Sequence, residues 1–324
     1  MGKLYVGWAE ESIIPEKKAS LAGQFIERIS DHVESDITVT AMAVESEGQQ
    51  MILASLDIVG LNEKQLGLAR EKLSELTDEI DPRNLMVCAT HTHTSLVAAS
   101  SRDPEDNKAG FADQKKILNE FLPAGKAYIP QVTADDTVCN PVEALELITD
   151  KIALAAKKAW ENRKEALYTN EFGRAPVGMC RRVSYDDGSG QMWGDVNTAN
   201  FVSLEGGNDS GIELLYFFDT NKKLTGIAAN IACPAQVLEH RTFISADYWG
   251  YTKQILREKF GKDIFLLSLC GAGGDQCPRD LVRWVNPETP INDPNINRPN
   301  YIERKADPSM YDIKGCKLST LHLN

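Results

Sequence analysis

The chain has 324 residues, 42% hydrophobic and 25% charged, the make-up of a globular protein with a sizeable core. Its formal net charge of −12 argues against a nucleic-acid binder or a partner of anionic membranes, both of which call for a basic footprint. No apolar stretch approaches the roughly 20 residues of a membrane span. The opening Met1 to Gly7 runs straight into strand-like sequence without the apolar core of a signal peptide, so a cytoplasmic protein is expected.

Residues 3–8 read as a first strand. Residues 37–45 alternate apolar with small or polar side chains, and after the turn Glu47-Gly48-Gln49 the run 51–59 is more continuously apolar and therefore more central. Asp57, near its end, is a helix cap, a loop residue or part of a site, with the first two favoured. Asn62 opens a helix to about Thr77 with positions 66, 69, 73 and 76 on its apolar face. Asp81-Pro82-Arg83-Asn84 is a turn before a strand at 85–90. Strand, helix, strand in that order predicts a right-handed parallel crossover.

That strand ends in Thr90-His91-Thr92-His93-Thr94-Ser95, which holds two of the five histidines. Side chains two apart in an extended segment share a face, so His91 and His93 are expected to converge. From the residues alone the pair is either a hydrogen-bonded structural feature or part of a metal or acyl-transfer site. The carboxyl end of a parallel strand is where α/β sheets place ligands.

Residues 95–135 lack periodicity and read as a long excursion shaping a pocket. Asn140, Pro141 and Glu143 cap the clearest helix, whose apolar positions 145, 148, 152, 155, 156 and 159 carry it to about 163. From 166 to 232 the chain is β-rich. A hairpin is signalled by Asp187-Gly188, and a second strand pair, 212–218 with 224–230, turns at 219–222. Ser245-Ala246-Asp247 leads into a helix stopped by Gly261, and a buried strand at 263–269 follows. The seven cysteines (88, 139, 180, 233, 270, 277, 316) are odd in number with no CxxC pair, which predicts small buried hydrophobes rather than a disulfide frame. With no repeat and no linker, the expected architecture is α/β: mixed sheet(s) flanked by helices in a single large domain with a β-rich middle section.

Three strands end in polar turns marked by glycine or proline: 90–94, then Asn230-Ile231-Ala232-Cys233-Pro234-Ala235-Gln236, then Cys270-Gly271-Ala272-Gly273-Gly274-Asp275-Gln276-Cys277-Pro278. The last is not a phosphate-binding loop, since no Gly-Lys-Ser/Thr follows. With Gly7, Ile13-Ile14-Pro15 and Asp57-Ile58-Val59-Gly60, these segments in this order resemble the neutral, non-lysosomal ceramidase family and its bacterial relatives, over residues 1–317. The family pattern is Thr-His-Thr-His-Ser/Thr, a later strand-end histidine turn, a Ser-x-Asp segment and a Gly-Asp-x-Ser-Pro turn.

The resemblance implies a zinc-dependent hydrolase that cleaves an amide (N-acyl) bond with metal-activated water. It makes His91 a zinc ligand, His93 a substrate-contacting or proton-handling residue, and Arg181 a holder of the substrate's oxygens. Cys233 stands where the family has its second histidine ligand, and is either a zinc thiolate or an inert buried cysteine. Asp247 and Asp275 match acidic motifs. Each orients a ligand or caps a helix, and Asp247 is grouped with the metal residues in a combined role. Cys277 replaces the family's nucleophilic serine and is either a nucleophile or a packing residue. The expected substrate is a small or lipid-like amide, with a small soluble one at least as plausible as ceramide.

The family draws a glutamate and a tyrosine ligand from beyond residue 317, whereas Asp307-Pro308 looks like a helix start and 318–324 reads as an aberrant or truncated tail. A catalytically impaired or binding-only relative with an incomplete metal site is therefore the alternative. A barrel amidohydrolase also uses His-x-His but needs two more histidines, and His32, His240 and His322 lack a strand-end setting. The proline- and asparagine-rich segment 284–299 is expected to wrap the pocket or a neighbouring subunit of a homo-oligomer. Arg279, Asp280 and Arg283 pair either with an acidic substrate group or, the favoured case, with surface charges.

Overall fold

In the computed structural model, which describes residues 2–24, 27–103, 136–196, 198–279 and 281, the chain is built on eight paired strands. Strand β1 (Leu4–Ser12) pairs antiparallel with β3 (Thr38–Ser46), and β3 with β4 (Gln49–Leu56) across a two-residue turn. Both turn residues, Glu47 and Gly48, have positive φ (50° and 77°), the mirror-image turn that matches hairpin twist. The chain then crosses through α1 (Glu63–Leu76) to β5 (Leu85–Ala89), parallel to β4. Asn62 and Gln65 form the capping box of α1. The buried face of this helix is rotated from the expected stripe: Leu76 is exposed, while Gln65 and Lys72 are drawn in. Each has a partner that explains it, the Ala99 carbonyl for Gln65, and Glu146 and Asp150 for Lys72.

Helix α2 (Pro141–Glu161), capped by Asn140 and Glu143 as expected, leads into β7 (Lys164–Arg174). The start of β7 pairs with β1, and its remainder pairs with β12 (Gly211–Asp219). β12 then pairs with β13 (Leu224–Ile231), and a second crossover through α3 (Tyr248–Phe260) reaches β14 (Phe265–Cys270), parallel to β13. The order across the sheet is β14-β13-β12-β7-β1-β3-β4-β5. Smaller pairings complete the described part: β2 (Lys18–Ala19) with β6 (Val138–Cys139), β8 (Met179–Cys180) with β15 (Gln276–Cys277), and β9 (Arg182–Tyr185) between β10 (Gly190–Met192) and β11 (Phe201–Leu204).

The sheet doubles over at β7. Trp8 of β1 stacks on Phe265 of β14 (5.8 Å) and meets Phe217 of β12 edge-on (5.7 Å), and Ser55 Oγ donates to the Ser268 carbonyl at 2.6 Å. Alternation along each strand then sorts the core into three. Val6, Trp8, Met42, Ala228 and Leu267 lie between the two halves. Val39, Ala41, Ile52 and Ala54 face α1 and α2, and Ile227, Ala229 and Leu266 pack beneath Trp249 of α3. The result is four layers, helix–sheet–sheet–helix, in the expected α/β class.

Asp57 is not a helix cap. It is fully buried, and its Oδ2 accepts from the Thr38 amide (3.0 Å) and the Lys253 ammonium (3.2 Å), tying β3 to α3. The excursion at 104–135, Asp280, Arg283, the segment 284–299, the helix start at Asp307 and the tail 318–324 lie outside the described residues. Among the described residues no helix is long and apolar enough to cross a membrane.

Candidate functional site

Folding over brings the carboxyl ends of β5 and β13 together. The Ala235 amide donates to the Thr90 carbonyl (3.2 Å), the His93 amide to the Ala235 carbonyl (3.4 Å), and the Ser245 amide to the Thr94 carbonyl (2.9 Å). The Thr92 and Thr94 hydroxyls both donate to the Ser245 carbonyl, so these threonines fasten the turn. His91 has φ of 62° and lies past the end of β5. The two imidazoles do converge, with centroids 5.0 Å apart, but through a left-handed turn rather than the shared face of a strand.

The hydrogen bonds fix the histidine tautomers. His91 Nδ1 lies 2.6 Å from the Val59 carbonyl, which only accepts, so Nδ1 carries the proton and Nε2 keeps a bare lone pair. Burial lowers the pKa of His91, and the neighbouring His93 and Arg181 charges add to this, so it is neutral at pH 7. His93 is buried, with Nδ1 3.3 Å from Glu239 Oε2 and Nε2 2.9 Å from Gln236 Nε2. Gln236 Oε1 in turn accepts from Arg181 Nη1 at 3.3 Å. Donors thus point one way along a chain from Arg181 through Gln236 and His93 to the Glu239 carboxylate. Burial pushes the Glu239 carboxyl up, but the His93 hydrogen bond and the His93, His240 and Arg181 charges outweigh it and hold it below its ordinary value.

Two further contacts hold His93. Gly23, at φ 96°, lies so close that a Cβ there would stand 2.3 Å from His93 Cγ. Buried Arg28 donates to the carbonyls of His93 (2.5 Å) and Ala22 (2.6 Å). Arg181 is anchored to the glycine-rich turn, its Nη2 donating to the Gly274 carbonyl and its amide to the Asp275 carbonyl, both at 2.9 Å.

The other expected site residues turn their polar atoms to the backbone or to a neighbouring amide. The Cys233 thiol is fully buried against the Val177 and Pro234 carbonyls (3.6 and 3.5 Å), and burial raises its pKa well above the ordinary thiol value. Asp247 caps α3: Oδ1 accepts from the Tyr248 amide and Oδ2 from the Leu238 amide, both at 2.7 Å. Burial raises it to about 6 despite these bonds. It thereby fixes the backbone next to Glu239. The Cys277 thiol donates to the Arg279 carbonyl (3.1 Å), and burial pushes it up to about 12. Asp275 Oδ1 accepts from the side-chain Nε2 of Gln276 at 3.0 Å.

The structure therefore gathers His91, His93 and Arg181, and adds Gln236, the last residue of the second strand-end turn, and Glu239, which no local pattern marks as a site residue. A catalytic zinc takes three protein ligands. His91 offers one ready nitrogen, but the Cys233 thiol and both Asp247 oxygens are engaged by backbone groups. Among the described residues no group of three or more His, Cys, Asp or Glu side chains is placed to hold a metal ion, so these residues do not by themselves fit a zinc centre. Two cavities elsewhere, about 290 Å³ beside Trp8 and Phe218 and about 480 Å³ beside Glu34 and Lys253, are lined by none of this group.

No protein-family model matches the chain, and no curated protein matches its sequence. Solved structures do match its fold. The neutral ceramidase from Pseudomonas aeruginosa superposes with a TM-score of 0.65 at 14% identity, over 94% of this chain and 43% of that one. A ceramidase complexed with C2 gives 0.60 at 14% identity, over 86% of this chain and 39% of that one. The chain thus spans less than half the length of either. The resemblance to the ceramidases is borne out at the level of the fold: this chain has the fold of the matched part of those structures.

Proposed function

We propose that the chain is a hydrolase of linear amide bonds in N-acyl compounds, with His93 handling the proton. The observation that carries this reading is the directed chain Arg181–Gln236–His93–Glu239, set beside the bare Nε2 of His91 where strand ends of both sheet halves meet. Glu239 holds His93 Nδ1–H and stabilises the imidazolium that forms when Nε2 takes up a proton. For that, Nε2 exchanges its bond from Gln236 for one from the attacking water. In this reading Arg181 Nη1, freed in the same exchange, would donate to the oxygen on which negative charge develops. The fold shared with the ceramidases supports the reaction class.

Zinc dependence is part of the proposal inherited from the sequence motifs. His91 would be a ligand, and a zinc ion there would need partners other than the described side chains. Elemental analysis of the purified chain, with and without His91→Ala, tests this directly. One zinc per chain, lost together with hydrolysis of an N-acyl substrate in the variant, supports the zinc hydrolase. Hydrolysis that survives His91→Ala overturns its role.

A second reading, a relative that binds without hydrolysing, is favoured by one observation: both site thiols and Asp247 are engaged by backbone groups rather than open. Binding of an N-acyl ligand with no turnover over days, in the presence of zinc, would establish it.

A further inference from the structure

The cavity of about 290 Å³ beside Trp8 and Phe218 lies at the far end of the sheet from the histidines. The first residues of β13 and β14, Leu224 and Phe265, line it, whereas the histidine site gathers past the last residues of β5 and β13. Its walls are aromatic rings: Trp8 and Phe265, stacked at 5.8 Å, together with Phe218 and Phe260. Phe260, the last residue of α3, is 44% exposed, so a large apolar surface stands open at the mouth. The rim carries charges of both signs, Lys164 and Lys223 with Glu165, Asp219 and Asp263. Two of the carboxylates are committed. Glu165 meets Lys3 at 2.7 Å, and Asp219 Oδ1 accepts from the amides of Asn221 and Lys223, both at 2.8 Å. The others are loosely held. Lys223 and Asp263 approach only to 4.0 Å, with side chains 65% and 90% exposed, and Lys164 enters no ion pair among the described residues.

Aromatic walls favour a flat apolar body, and a mouth with loosely held groups of both signs favours a ligand that answers both. An acid alone would leave Asp263 facing it, and an amine alone would leave Lys164 facing it. We propose that this cavity binds a free aromatic α-amino acid, with the ring against Trp8, Phe218 and Phe265. Its carboxylate meets Lys164 and its ammonium meets Asp263. The site does not depend on the hydrolase reading, since the cavity shares no lining residue with the histidine group.

The test is calorimetric titration of the full chain with phenylalanine, hydrocinnamate, phenethylamine and leucine. Phenylalanine is expected to bind with a Kd below about 1 mM. Hydrocinnamate lacks the ammonium and phenethylamine the carboxylate, and each should bind about fivefold more weakly, the worth of one partly exposed ion pair. Leucine keeps both charges but has no ring, and should also bind about fivefold more weakly. Lys164→Gln should bring phenylalanine and phenethylamine within about twofold of each other, leaving the gap to hydrocinnamate in place. Asp263→Asn should do the reverse. Both side chains are exposed, so the circular dichroism of the two variants should match that of the unsubstituted chain. No saturable binding of phenylalanine up to about 10 mM overturns the site. So does leucine binding as tightly as phenylalanine, equal affinity for the three aromatic ligands, or a pattern of affinities that neither substitution moves.

Discussion

Replacing Gly23 by alanine adds one methyl group at the point where the chain touches His93, and the consequences can be worked through. At φ 96° an L side chain is strained, and forcing a left-handed backbone costs about 1–2 kcal/mol. The new Cβ would stand 2.3 Å from His93 Cγ and 2.6 Å from its Nδ1, so one contact falls 1.1 Å inside the 3.4 Å where ordinary contact begins. His93 cannot retreat freely, because Glu239 holds Nδ1 at 3.3 Å and Gln236 meets Nε2 at 2.9 Å. Giving up the hydrogen bond to a charged carboxylate forfeits about 1.5–3 kcal/mol. The summed destabilisation is about 2.5–5 kcal/mol. If His93 handles the proton, the second contribution alone lowers kcat/KM by about 10- to 150-fold. Thermal melts and hydrolysis of an N-acyl substrate measure the two effects, and a cycle with Glu239→Gln tests the route. Gly23→Ala should cost little further activity once Glu239→Gln has already removed the carboxylate. Wild-type melting and turnover in Gly23→Ala, or full additivity with Glu239→Gln, would refute this account.

Two other outcomes follow from buried titratable groups. Burial pushes Glu10 up, but the Lys253 and Arg257 charges outweigh it, so its folded pKa lies below the ordinary 4.5. Its contribution is complete above pH 4.5 and is lost as pH falls through the folded value. Glu10→Gln should therefore destabilise the chain by about 3 kcal/mol at neutral pH, with the gap closing in acid; a gap unchanged down to pH 3 contradicts the pairing. For Cys277, the thiolate is the reactive form, and at about 12 almost none is present at neutral pH. Iodoacetamide should label it only after denaturation, and Cys277→Ala should keep hydrolysis within about threefold. Abolished turnover in that variant would make the thiol the nucleophile instead.

The elements easiest to read in the sequence are those whose burial repeats with a local period. Residues 37–59 alternate because each strand has one face on the helices and one on the opposing half. Helix α2 is legible because Asn140, Pro141 and Glu143 announce it and an unbroken apolar face follows. β7 joins the two halves, yet its residues are exposed on both faces along most of its length, so no period marks it. The inward turn of Lys72 is hidden for a related reason: its partners Glu146 and Asp150 come from α2, some 75 residues away in the chain. The histidine pair was legible because imidazoles are scarce here and stand at a strand end. Glu239 was not. It belongs to an aperiodic stretch, and only the bond from the Leu238 amide to Asp247 and the closure of the two halves bring it to His93.

That closure gives the site its particular dependence. His91 and His93 belong to the crossover of one sheet half, since β5 carries them and the Val59 carbonyl beyond β4 orients His91. Glu239 and Gln236 belong to the other, between β13 and α3, where Asp247 anchors the turn. No element carries both members of the His93–Glu239 pair, so its distance reports how the halves pack. The packing is specified by Trp8 against Phe265 and Phe217, with Gly226 leaving no room for a side chain, since a Cβ there would lie 2.4 Å from the indole. Close-packed interiors transmit such displacements rather than absorb them. The chemistry at the strand ends is therefore set as much by the aromatic contact between the halves as by the residues around the histidines. A motif confined to 90–95 names the place but does not determine the geometry.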